Sequence, residues 1–397
     1  RNARCQTQAS GCSGRSREAK SLCISRAYTY HGYEISKQIA RSKLLRARQS
    51  AGDSMPTEAV FLHITDPHLD DAENVIERDD HKISMEGIAH QSRTTLLEAS
   101  FVRVAAALAE RQIRLDGVIV SGDAGDRSSE EGQKRVFELI SSHFSRFGIS
   151  AANIVSVPGN HDVMRGTSPG SEGRYRIFNE VWRKKGCVTP WLDQIDSPTS
   201  PFEKHALASP NEDWIILSLN SSNWSQSQIK LPEAIEEIWP ILHEIPNVDP
   251  EVQAKLRATL DRLRSVDMAR ISGEQLEYVR IQLTKAAKAE STRRLRIAVL
   301  HHHIHAPGVR EELKPFSDMT NLSLFRAFLR EQKIDVVIHG HKHESAINYD
   351  YIDDGVGRDL HRTLVVSGGS LVGPGEGGPV RLLTFHGLPS TQDLPVE

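Results

Sequence analysis

From residue 59 onward the chain repeats one local pattern, a short apolar run that stops at Gly, Asn, Asp, Ser or His. The runs are "AVFLHITD" (59–66), "DGVIVSGD" (116–123), "NIVSVPGNHD" (153–162), "WIILSLNSS" (214–222), "RIAVLHHH" (296–303), "DVVIHGHKH" (335–343), "TLVVSGGS" (363–370) and "VRLLTFHG" (380–387). Several lack the alternation of a half-exposed strand, which predicts strands buried on both faces. Between the early runs the period changes. Leu97, Phe101, Val104 and Leu108 recur at helical spacing, as do Val136, Leu139, Ile140, Phe144 and Phe147, so each set makes one face of a helix. Alternating strands and helices predict an α/β architecture with helices covering the sheets. In such folds the chemistry gathers at the carboxyl ends of the strands.

One stretch breaks the rhythm. From Leu231 to Leu263 two helical patterns, the second carrying Val252, Leu256 and Leu260, flank "PNVDP". This predicts a helical hairpin inserted at about residues 230–268, either as added packing or as a lid or oligomer contact. The glycine-rich "GGSLVGPGEGG" (368–378) lacks the Lys-Ser/Thr ending of a phosphate-cradling loop and reads as a flexible connection.

At 397 residues, 38% hydrophobic and 25% charged, the composition is that of a soluble globular protein. No run approaches the roughly 18 apolar residues of a membrane span, and no apolar signal region opens the chain; a cytoplasmic protein is expected. Residues 1–54 carry eleven Lys/Arg against three Asp/Glu, so a net −3 chain divides into a +8 segment and a −11 body. An acidic body argues against gripping long nucleic acid, while the Ser/Arg-rich first 54 residues read as disordered, with residues 55–397 as the catalytic domain. The first methionine is Met55, so the preceding segment reads as targeting, appended or upstream sequence. Three of four cysteines, Cys5, Cys12 and Cys23, lie in that segment and only Cys187 beyond it; their spacings match no zinc pattern, and a reducing compartment fits.

The residues that end the runs carry the chemistry. They are Asp66-Pro67-His68, Gly122-Asp123, Gly159-Asn160-His161-Asp162, His301-His302-His303 and Gly340-His341-Lys342-His343. Turn preference explains an Asn or Asp at one strand end, but not His and Asp at five. Imidazoles, carboxylates and an amide oxygen without thiolate form a donor set for borderline transition metals. There are too many donors for one catalytic ion, whereas two ions about 3.5–4 Å apart would use them all.

The ordered set "DPH", "GD", "GNHD", "HHH" and "GHKH" resembles the calcineurin-like metallophosphoesterase superfamily, in the style of its bacterial cyclic-nucleotide and glycerophosphodiester phosphodiesterases. "ISGEQLEYVRIQL" (271–283) resembles a helix those enzymes carry before the fourth motif. The resemblance implies two packed mixed β-sheets flanked by helices, and two transition-metal ions (Mn, Fe, Zn or Co). It implies that Asp66, His68 and His343 hold one ion, Asn160, His341 and a histidine of the triplet the other, and that Asp123 bridges both. Aligning Ile304 with the family's usual proline selects His302 from the triplet, with His301 as the alternative. His161 would stand over the substrate as proton donor, its ring fixed by Asp162; Asn160, Arg127 and His303 would touch substrate. The implied reaction is hydrolysis of a small phosphodiester by attack of a metal-bridging hydroxide. The alternatives are a phosphomonoesterase or protein phosphatase, to which "GDAGDR" (122–127) points, a nuclease, and a non-catalytic scaffold. The insertion would provide any oligomer contact.

Overall fold

A computed structural model of the chain describes residues 58–70, 93–228, 240–241, 249–255, 265–287, 294–305, 318–353, 360–371 and 378–386. In β1 (Glu58–Ile64) every residue after the first is buried, because alternate side chains enter different cores. Ala59 and Phe61 join a cluster with Val155, Ile216, Ile297 and Ile338, whereas Val60, Leu62 and Ile64 join one with Leu97, Phe101 and Phe144. A strand covered on both sides needs no polar face.

The first sheet has the order β12-β1-β2-β3, with β2 (Gly117–Val120), β3 (Ile154–Ser156) and β12 (Val380–His386). β1, β2 and β3 run parallel and β12 antiparallel. The second sheet comprises β4 (Ala206–Ala208), β5 (Trp214–Ser218), β8 (Leu295–Val299), β9 (Val336–His339), β10 (Ala346–Asp353) and β11 (Leu360–Ser367). Its order is β10-β11-β9-β8-β5-β4, parallel from β11 to β5 and antiparallel at both edges. The two sheets face one another across an apolar core, where Phe61 of the first meets Trp214 of the second edge to face at 4.8 Å.

Helices α1 (Arg93–Glu110) and α2 (Glu130–Phe144) close the outer face of the first sheet. Helices α3 (Gly273–Ala287) and α4 (Leu322–Glu331) contribute Tyr278, Leu283, Phe325 and Leu329 to the core outside the second. The result is the expected sandwich of two mixed sheets between helical layers. Among the described residues no helix is long and apolar enough to cross a membrane.

The sequence reading of the insertion needs one correction. Its far end, Ser265–Met268, is strand β7, paired antiparallel with β6 (Trp224–Gln228) in a two-stranded ribbon. Residues 240–241 and 250–255 are helical; the rest of the predicted hairpin lies outside the described residues. So do residues 1–54 and residues 372–377 of the glycine-rich stretch.

Candidate metal centre

The parallel strands deliver the five motifs to one edge of the sandwich. Loops after β1, β2 and β3 come from the first sheet, and loops after β8 and β9 from the second. Backbone bonds lock them together: Asp66 N–H to Gly122 O (3.2 Å), His68 N–H to Asp123 O (2.9 Å), Leu69 N–H to Ala124 O (3.1 Å) and Gly340 N–H to His301 O (3.0 Å). The ligand candidates also fix one another's loops. His341 N–H points at both oxygens of Asp66 (3.1 Å each), and His161 N–H donates to Asp123 Oδ1 (2.8 Å).

Side chains reach the centre through an unusual backbone. Asp66, His68, Asp123, His341 and His343 all have left-handed φ, between 48° and 76°. For residues other than glycine this costs on the order of 1–3 kcal/mol each and persists only where the surroundings over-determine it. Two motif glycines are there for close approach. A Cβ on Gly159 would overlap Asp123 Oδ1, and one on Gly340 would overlap Asp66 Oδ2 and Thr65 Oγ1.

Two adjoining clusters result. In one, His68 Nε2 and His343 Nε2 lie 3.0 Å apart, with Asp66 Oδ1 at 3.5 Å from His343 Nε2 and 3.9 Å from His68 Nε2. In the other, His301 Nε2 lies 2.9 Å from Asn160 Oδ1 and 3.2 Å from His341 Nδ1. Asp123 Oδ2 stands between them, 3.5 Å from His68 Nε2 and 3.4 Å from His301 Nε2.

Both His301 and His302 bring a ring nitrogen to candidate ligand groups, and only His301 also lies beside Asp66 and Asp123. Its Nδ1 faces Ser121 O at 2.9 Å, so Nδ1–H donates there and Nε2 is turned to Asn160 and Asp123. His302, selected in the sequence reading, presents Nδ1 to Ser221 Oγ (2.9 Å) and Nε2 to Ser225 Oγ (3.5 Å), although a ring nitrogen stays within 4.8 Å of donor atoms from His301 and His341. His303 is buried, stacked on His341 with centroids 5.7 Å apart and Nε2 at 3.3 Å from Asp318 Oδ1.

A second correction concerns His161. Its Nδ1 pairs with Asp126 Oδ1 at 2.7 Å, not with Asp162. The Asp162 carboxylate turns back into the chain and accepts from Gly125 N–H (3.0 Å) and Gly159 N–H (2.9 Å), joining the second and third motif loops. Asp126 was present in "GDAGDR", and that motif was the signal for it. The Arg127 side chain is 54% exposed, with Nε 4.0 Å from Asp126 Oδ2.

Electrostatics favour a bound cation. Burial alone would raise the carboxyls of Asp66 and Asp123, but the surrounding histidines outweigh it and hold both below the usual range. Burial opposes charge on His301, yet Asp123 and Asp66 pull it up to about 10, a measure of how strongly two buried carboxylates demand positive charge at that point. Burial holds His68 down to about 3 and also lowers His341; neutral imidazole is the metal-binding form. For His161 the effect of burial is outweighed by Asp123 and by the charge and hydrogen bond of Asp126, which raise it. Burial, then the charge of Asp123, pushes Asp162 up to about 6. Nitrogen and oxygen lone pairs converging at 2.9–3.5 Å beside two anionic carboxylates fit transition-metal ions.

Comparison with solved structures finds likenesses at low identity. A phosphopantetheinyl hydrolase from Mycobacterium tuberculosis is 15% identical, with 79% of this chain and 90% of that chain covered and a TM-score of 0.36. A purple acid phosphatase from yellow lupin seeds is 13% identical, with 78% and 44% covered and a TM-score of 0.36. A 5'-nucleotidase precursor from Thermus thermophilus is 12% identical, with 80% and 50% covered and a TM-score of 0.37. The present chain thus spans half or less of the latter two. No curated protein sequence matches it. The sequence matches the calcineurin-like phosphoesterase family over residues 59–345, a span that holds all five motif loops, and the chain belongs to that metallophosphoesterase family.

Proposed function

We propose that the chain is a dinuclear-metal phosphodiesterase for a small diester, of the cyclic-nucleotide or glycerophosphodiester class. The observation that carries the reading is the two adjoining donor clusters that share Asp123, with His161 beside them. Asp66, His68 and His343 would hold one ion, Asn160, His301 and His341 the other, and Asp123 both. Two such ions supply Lewis-acid stabilisation of phosphoryl oxygens and a water acidic enough to ionise near neutral pH.

The chain's own groups supply the rest. His161 is anchored through Nδ1 to Asp126 and its ring remains 27% exposed, so Nε2 is the edge offered to substrate. It holds a proton for the leaving alkoxide, a role worth about 10²–10⁴-fold in rate. An alkyl phosphoester, mono- or diester, needs such a donor because its leaving alkoxide is strongly basic. The diester choice rests on the motif resemblance. A second reading, a phosphomonoesterase, is favoured by Arg127 beside Asp126, where a guanidinium could meet a phosphate dianion.

Hydrolysis of bis-p-nitrophenyl phosphate and p-nitrophenyl phosphate by chelator-stripped protein, before and after adding Mn²⁺, separates the readings. Metal-dependent cleavage that prefers the diester is expected. Preference for the monoester would establish the second reading, and no cleavage with any metal would contradict both.

A further inference from the structure

Arg93 lies 25 residues beyond His68 in sequence, stands on helix α1, and donates from Nη1 to the backbone carbonyl of His68 at 2.8 Å.

The carbonyl that Arg93 meets belongs to a strained residue. His68 has φ 48° and is buried, and such a conformation persists only where the surroundings over-determine it. Its N–H is held by Asp123 O, and the next residues continue that seam: Leu69 N–H donates to Ala124 O, and Asp126 N–H to Leu69 O at 2.7 Å. All these bonds run between the first and second motif loops. Arg93 comes from a different element, ties the remaining main-chain group of His68 to α1, and borders the same cleft as Asp66 and His343.

We propose that Arg93 is a positioning residue for the ion at Asp66, His68 and His343, an inference that rests on the metal arrangement proposed above. Without the guanidinium the buried His68 carbonyl loses its donor and the residue relaxes from the left-handed region. The imidazole then swings with it, away from the orientation in which it would meet the ion. The second ion shares only Asp123 with the first and takes its other ligands, Asn160, His301 and His341, from the loops after β3, β8 and β9, so this contact bears on it less.

Mn²⁺ titration of metal-free protein by calorimetry tests it with Arg93→Met, which keeps the chain length and removes the donors, and Arg93→Lys, whose ammonium can still meet the carbonyl. One of two sites is expected to weaken about 10–100-fold in Arg93→Met, with the other weakened far less, partial recovery in Arg93→Lys, and an unaltered melting temperature of the metal-free protein. Two wild-type sites in Arg93→Met would overturn the inference alone. So would equal weakening of both sites with a lowered melting temperature, the mark of a general structural role. Wild-type protein that binds no Mn²⁺ would overturn the metal reading together with the inference.

Discussion

His161 sits between two carboxylates that act on it differently: Asp123 accepts its backbone N–H and Asp126 meets its ring. Replacing His161 by Gln is expected to lower kcat by about 10²–10⁴ while two metals still bind; loss of metal along with activity would place His161 among the ligands instead. The triplet makes an equally sharp comparison. His301→Ala is expected to lose tight binding of one ion, whereas His302→Ala, whose nitrogens face serines, keeps both; the reverse pattern would make His302 the ligand. At this scale the residue types of the centre were legible, because no turn preference assembles His and Asp at five strand ends. The choice among adjacent candidates was not legible. Whether His301 or His302 points inward depends on where β8 stops, and whether Asp126 or Asp162 meets His161 depends on how two loops fold over one another.

The continuously apolar runs became the strands of the two packed sheets, since burial on both faces leaves an unmistakable pattern. The missed strands are those without it. β4 is three residues long, and β10 is an edge strand whose Tyr349 and Tyr351 are exposed while Asp350 is buried. Elements also carry a pH dependence apart from the centre. Just before β4, buried His205 donates from Nδ1 to Thr189 O at 2.9 Å, and burial lowers its pKa from 6.5. The unfolded chain therefore takes up a proton at a pH where the folded protein does not, and stability is full above 6.5 and falls as pH drops through it. His205→Asn, whose amide can make the same bond without titrating, is expected to remove part of that fall. Urea unfolding between pH 7.5 and 5 measures it; parallel curves for the two proteins would contradict the burial argument.

Across the whole molecule, two sheets each contribute half of a centre that neither could form alone. The loops after β1, β2 and β3 bring Asp66, His68, Asp123, Asn160 and His161, and those after β8 and β9 bring His301, His341 and His343. The apolar contact between the sheets, with Phe61 against Trp214 at its heart, thereby sets the distances on which the chemistry rests. This joint construction makes Asp123 the pivot, within 3.5 Å of His68 on one side and His301 on the other. The most direct test is the number of Mn²⁺ ions bound per chain in the wild-type protein and in Asp123→Ala. The account predicts two ions in the wild type and loss of both from their tight sites in the variant. Two tightly held ions in Asp123→Ala would contradict it.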